Sequence, residues 1–154
     1  MTAQMAMART TSRHPAVLPA MWCGLALTIV AAVFPLIDRG TTHVLADHIR
    51  ASYPSYGAGQ IDAAVTAYLS ILAVVGVLGV LGWLGTMWTM RRHRGLARWV
   101  ASGAWLIAAC VALSGLTVQD TSGDVGLAPL PAWLLVLPCV PGLLAVALLW
   151  RPRR

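Results

Sequence analysis

Lysine and glutamate are missing altogether from this chain, and charged residues of every kind make up only 10% of its 154 residues. A soluble domain carries about 25%, so there are too few polar groups to cover a soluble globule of this size. Ionisable residues are also missing between the ends of four long apolar runs. Within membrane helices such groups mark proton relays, ion paths and cofactor ligands. Their absence argues against a proton-coupled exporter built on a membrane carboxylate, and against a haem b subunit with axial histidines. Cysteine is scarce: Cys23, Cys110 and Cys139 all lie inside apolar runs, with no C-x-x-C spacing. That argues against a quinone-coupled thiol oxidoreductase, and the three read as small buried apolar residues.

What the chain does have is apolar length, since 58% of its residues are hydrophobic. The runs over about 15–37, 61–90, 99–118 and 127–150 are each long enough to cross a hydrocarbon core of about 30 Å. In lipid the backbone must satisfy its own hydrogen bonds, so the expected fold is an all-α four-helix transmembrane bundle. A signal peptide is the rival reading of the first run. Its length and the lack of a clean small-x-small site favour a retained span. Residues 1–14 read as a disordered tail and 151–154 as a short basic one. A break over Tyr53–Gly59 follows a short amphipathic helix over 42–51, which is expected to lie on the leaflet.

Charge sets the orientation. All five acids (Asp38, Asp47, Asp62, Asp120 and Asp124) fall in or beside the segments 38–60 and 119–126, together with only two of the eleven arginines, Arg39 and Arg50. Nine arginines fall in the N-terminal tail, the 91–98 connection and the C-terminal tail. Cytoplasmic segments carry the excess of Lys/Arg, so both termini are expected in the cytoplasm of a multi-pass plasma-membrane protein. The formal charge of +6 would suggest nucleic acid in a soluble protein; here topology accounts for it, and no nucleic acid partner is expected. Arg91, Arg92, Arg94, Arg98, Arg151, Arg153 and Arg154 instead read as contacts to an anionic inner leaflet. Trp22, Trp88, Trp99 and Trp150 near those ends, with Tyr53, Tyr56 and Tyr68 near the other, form interfacial belts.

Three features could carry more than topology. Gly76, Gly79, Gly82 and Gly85 recur every three residues in the second run. Each step falls back about 60° on a helix, so they form a spiral and not one stripe. They read as close helix packing, with a pore or lipid groove as the functional alternative. Pro138 and Pro141 should kink the fourth span. His43, Asp47, His48, Asp120 and Asp124 are the metal candidates, since two histidines and a carboxylate can hold zinc with an open position. Against that, His43 and His48 lie about 140° apart on an ideal helix. Asp47 with Arg50 reads more simply as a surface ion pair. Asp120-Thr121-Ser122-Gly123 looks like an aspartic-protease signature, but that chemistry needs two carboxylates sharing a proton. A turn capped by Asp120 and Ser122 is the expectation.

Asp47-His48-Ile49-Arg50, the run Gln119-Asp120-Thr121-Ser122-Gly123-Asp124 and the all-arginine usage resemble small four-span membrane proteins of high-GC actinobacteria. The resemblance covers most of the chain and implies compartment and lineage, with no activity attached. No catalytic residue and no cofactor is expected. The leading expectation is a non-enzymatic accessory or self-associating membrane subunit, with a membrane protein or a second copy as partner and the two outer loops as its recognition surface. One alternative is a passive transporter or channel for a lipid or small neutral solute. A second is a membrane enzyme with an outer-face metal site.

Overall fold

The structure is a computed structural model that describes residues 16–151, apart from the side chain of Arg94. The tail 1–14 and the arginines at 153 and 154 lie outside the described residues. The elements are α1 (Val17–Gly40), α2 (Val44–Ser52), α3 (Ala58–Arg92), α4 (Arg94–Thr117), α5 (Pro129–Val136) and α6 (Cys139–Trp150). Four helical stretches are long and apolar enough to cross a membrane: α1, α3, α4 and the α5–α6 pair. The protein is all-α with four candidate spans.

Helix ends follow local chemistry more than hydropathy. α1 runs three residues past the expected limit of its span and takes in Asp38 and Arg39. α3 starts at Ala58 because the Gln60 carbonyl oxygen turns back to accept the Gly57 N–H at 2.9 Å, half of a capping box. Its 35 residues reach about 52 Å at 1.5 Å per residue, well beyond a hydrocarbon core of about 30 Å. The expected turn over 91–98 shrinks to one residue, His93. Its N–H reaches back to the Thr89 carbonyl at 2.7 Å, while its own carbonyl accepts the Leu96 and Ala97 N–H groups at 3.0 Å. Arginine is a good helix former, so Arg91 and Arg92 complete the last turn of α3, where the helix dipole favours cations.

The fourth span is interrupted at Leu137 and Pro138. Pro138 has no N–H to give to the preceding turn. The chain resumes through Val140 N–H to the Leu137 carbonyl (3.3 Å) and Gly142 N–H to the Pro138 carbonyl (3.2 Å). Pro141 is the third residue of α6, a position whose N–H has no intrahelical partner in any helix. The two prolines therefore make one break.

α1 packs on α3 and on the α5–α6 span, and α4 packs on the same two, whereas the backbones of the diagonal pairs α1–α4 and α3–α6 do not come close. The bundle is a square ring with two packed ends. At one end Leu45 and Ile49 of α2 join Ile61, Val65, Leu69 and Leu72 of α3 and Leu127, Ala128 and Ala132 leading into α5. At the other, Val17, Met21 and Leu25 pack with Met87 and Ala145. This corrects the expectation for α2. Its apolar side chains are not left facing outward: Leu45 and Ile49 are each 3% exposed and pack into the end of the bundle. The cysteine expectation is also corrected, because Cys23 and Cys110 are exposed on the outer surface of the bundle. Lipid tails are as apolar as a core, so a small apolar side chain has no need of the interior.

Candidate functional site

A cavity of about 420 Å³ lies between the two packed ends. All four spans line it, its walls are apolar, and many of the residues facing it are small. α4 contributes Ala101, Ala104, Ala108 and Ala112, α3 contributes Gly76, Gly79 and Gly82, and α6 contributes Gly142 and Ala145. Diagonal partners thus present methyl groups or bare backbone to one another, and a hollow remains where larger side chains would interdigitate. Leu78 and Ile107 also line it, yet they are 62% and 68% exposed. On the α3–α4 side the cavity is thus bounded by two side chains that also reach the outer surface of the bundle.

Two tryptophans, Trp83 and Trp105, also line the wall, each seated on a glycine that sequence reasoning did not single out. A Cβ on Gly24 would lie 2.1 Å from the Trp83 ring, and one on Gly142 would lie 2.9 Å from Trp105. The Trp83 indole N–H donates to the Thr28 hydroxyl at 2.9 Å, which donates in turn to the Gly24 carbonyl at 2.8 Å. The Trp105 indole donates to the Cys139 carbonyl at 2.9 Å. The signal for this seam was present as Gly24, Thr28 and Ala32, small residues four apart on α1 that meet Trp83, Gly79 and Gly76 of α3. Of the four glycines expected to pack, Gly76 and Gly79 touch α1, while Gly82 and Gly85 have nothing within 4 Å of a built Cβ. Replacing Thr28 by valine should keep the shape but leave the Trp83 indole unpaired, at a cost of about 1 kcal/mol. Thermal unfolding in detergent, followed by tryptophan emission, reads this directly.

The chain matches no family model, no curated protein and no solved structure.

The metal candidates are not gathered. Among the described residues no group of three or more His, Cys, Asp or Glu side chains is placed to hold a metal ion. Asp47 accepts from Arg50 at 2.7 Å, and His43 Nδ1 lies 3.1 Å from the Thr41 carbonyl. His48 Nε2 is 2.8 Å from the Val125 carbonyl, a bond in which the ring nitrogen donates. Asp120 accepts from the backbone and hydroxyl of Ser122. The 119–126 segment is a tight hairpin: Gly123 N–H donates to the Asp120 carbonyl at 3.1 Å and Asp120 N–H to the Asp124 carbonyl at 3.0 Å. Gly123 takes φ +89°, which favours glycine. Tyr53 OH and Thr121 Oγ1, 2.7 Å apart, complete the docking of this hairpin onto the α2 segment.

The Ser122 hydroxyl, above all, together with the Ser122 N–H, Tyr53 and His48, holds the Asp120 carboxyl below its ordinary value of 3.8 against a smaller opposing effect of burial. A carboxyl depressed on folding stabilises the folded form above its unfolded pKa, and that contribution is lost as pH falls through the folded pKa. The hairpin should thus keep its Ser122 bond throughout the neutral and mildly acidic range and loosen only below about pH 4. Amide exchange at Ser122, followed as pH is lowered, should show this step in the wild type and lack it in Asp120→Asn.

At the opposite end Arg92 sits over Trp88 at 5.4 Å and Arg98 over Trp150 at 5.1 Å. Trp150 also meets Trp99 edge-on at 5.0 Å. Arg91, Arg92, Arg98 and Arg151 are all exposed, so their charges are free to meet solvent or head groups.

Proposed function

We propose that this protein is a non-enzymatic membrane protein that holds an apolar molecule, a lipid chain or a neutral solute of similar size, inside its bundle. The observation that carries this reading is the 420 Å³ apolar cavity, lined on its α3–α4 side by the exposed Leu78 and Ile107. That size falls within the range of about 300–1,000 Å³ typical of ligand pockets. Packed clusters at both ends favour holding over passage, which makes this a binding form of the transport reading. The two loops expected to recruit a partner bond to each other through His48 and Tyr53, which makes recruitment by those loops the weaker reading. The proposed setting is a plasma membrane with the arginine-rich end in the cytoplasm, where Arg91, Arg92 and Arg98 meet anionic head groups.

Gly82→Leu tests it. Gly82 lines the cavity and has nothing within 4 Å of a built Cβ, so a leucine should enter the hollow without forcing the helices apart. Native mass spectrometry of gently extracted wild type should show one retained apolar molecule, and the Gly82→Leu protein should lose it while staying folded. Equal retention in both would end the proposal.

A further inference from the structure

A second hollow, about 240 Å³, lies at the other side of the α2 end, between the last turn of α1, α2 and the first turns of α3. Its floor is apolar, formed by Pro35, Leu45, Ile61 and Val65, and its polar lining is Arg39, Arg50 and His43 with the carboxylates of Asp38 and Asp62. Arg39 and Arg50 are the two arginines that run against the charge asymmetry of the chain. The other nine lie, by their place in the sequence, in segments at the opposite end of the spans. Orientation gives no reason for a cation here, yet both of these line one cleft.

Each arginine is only partly engaged. Arg39 gives one nitrogen to Asp62 at 2.9 Å and another to Thr66 at 3.3 Å, and Arg50 gives one to Asp47 at 2.7 Å. A guanidinium has five N–H donors, so each keeps donors to spare, and the side chains are 45% and 61% exposed. The remaining acids are accounted for. Asp38 is buried and spent on Thr42, Val44 and Leu45, and Asp62 faces Arg39.

We infer that this cleft receives the phosphate group of a membrane lipid, with Arg39 and Arg50 on the phosphate and the first methylenes of the chain on the apolar floor. Guanidinium forks match phosphate oxygens, and what the site offers is the N–H donors that Asp62 and Asp47 leave unused. The apolar floor is what favours a lipid over free phosphate. This site is separate from the bundle cavity and does not depend on it.

The test titrates folded protein in detergent with dioleoylphosphatidylglycerol, dioleoylglycerol and inorganic phosphate, with occupancy read by native mass spectrometry. The phosphate lipid should bind one per chain, and Arg39→Gln/Arg50→Gln should weaken it by about tenfold or more. Dioleoylglycerol should bind as weakly to the wild type as the phosphate lipid does to the variant. Arginine-dependent binding of inorganic phosphate at equal strength would keep the phosphate site and name a soluble source. Asp62→Asn frees Arg39 from its carboxylate and should tighten the phosphate lipid by about threefold. The arginine-dependent binding should persist in Gly82→Leu, which separates it from occupancy of the bundle cavity. Equal occupancy in Arg39→Gln/Arg50→Gln, equal binding of dioleoylglycerol, or weaker binding in Asp62→Asn would each overturn the site. Helical circular dichroism confirms that each variant is folded.

Discussion

Gly76→Ala should lower the stability of the bundle by about 1–3 kcal/mol, and Gly76→Leu by more. A Cβ at Gly76 would lie 2.5 Å from the Ala32 Cβ and 3.5 Å from its Cα. Both Cβ atoms are fixed to their backbones, so no rotamer change relieves the clash and α1 must move away from α3. That seam also aligns Thr28 against Gly79 and Gly24 against Trp83, so the shift would loosen the Trp83–Thr28 bond as well. Gly82→Ala and Gly85→Ala meet nothing within 4 Å and should be neutral, or more stable by about 0.5–1 kcal/mol from reduced backbone freedom. Unfolding midpoints in mixed micelles would compare the four variants. A Gly76→Ala protein as stable as Gly82→Ala would disprove the close seam.

Asp38→Ala should release α2 from the end of the bundle. Asp38 is 3% exposed, and its two oxygens accept the Val44 N–H at 2.9 Å and the Leu45 N–H at 3.1 Å, with the Thr42 hydroxyl as a third donor. These are first-turn donors of α2 that no helical carbonyl can satisfy, and the residue at the N-cap, His43, offers no side-chain bond to them. Removing the carboxylate strands them, at about 2 kcal/mol, or about thirtyfold in local opening. Amide exchange at Val44 and Leu45 should quicken accordingly, and protease access to the 41–57 segment should rise. Asp38→Asn keeps one acceptor oxygen but turns an NH₂ toward backbone donors, so it should restore only part of the protection. Unchanged exchange in Asp38→Ala would mean that Leu45 and Ile49 hold α2 by burial alone.

Much of the architecture was legible in advance because lipid leaves the backbone few choices. Apolar runs of span length had to become helices, and proline in the fourth run had to interrupt its hydrogen bonds. The buried positions Ile61, Val65, Leu69, Leu72 and Gly76 of α3 follow the helical repeat. The shifts in the helix ends share one cause. Hydropathy ends a span where polarity begins, whereas a helix ends where its hydrogen bonds end, so Asp38 and Arg91 were placed in loops and belong to helices. The buried carboxylate of Asp38 was invisible for a related reason, since its partners lie across a turn and no local pattern marks a remote cap.

The sequence by itself determined the number of candidate spans and the separation of the aspartates from most of the arginines, because both follow from the cost of polar groups in hydrocarbon. Tertiary structure alone decided which small residues meet. Ala101, Ala104 and Ala108 look the same in sequence whether they face lipid, a neighbour or a void. Only the ring of four helices, with its diagonal pairs held apart, turns those alanines and the glycines of α3 inward on a hollow. That same ring, closed by α2, sets Arg39 and Arg50 on one cleft, because residues distant in sequence become neighbours only when the helices that carry them pack.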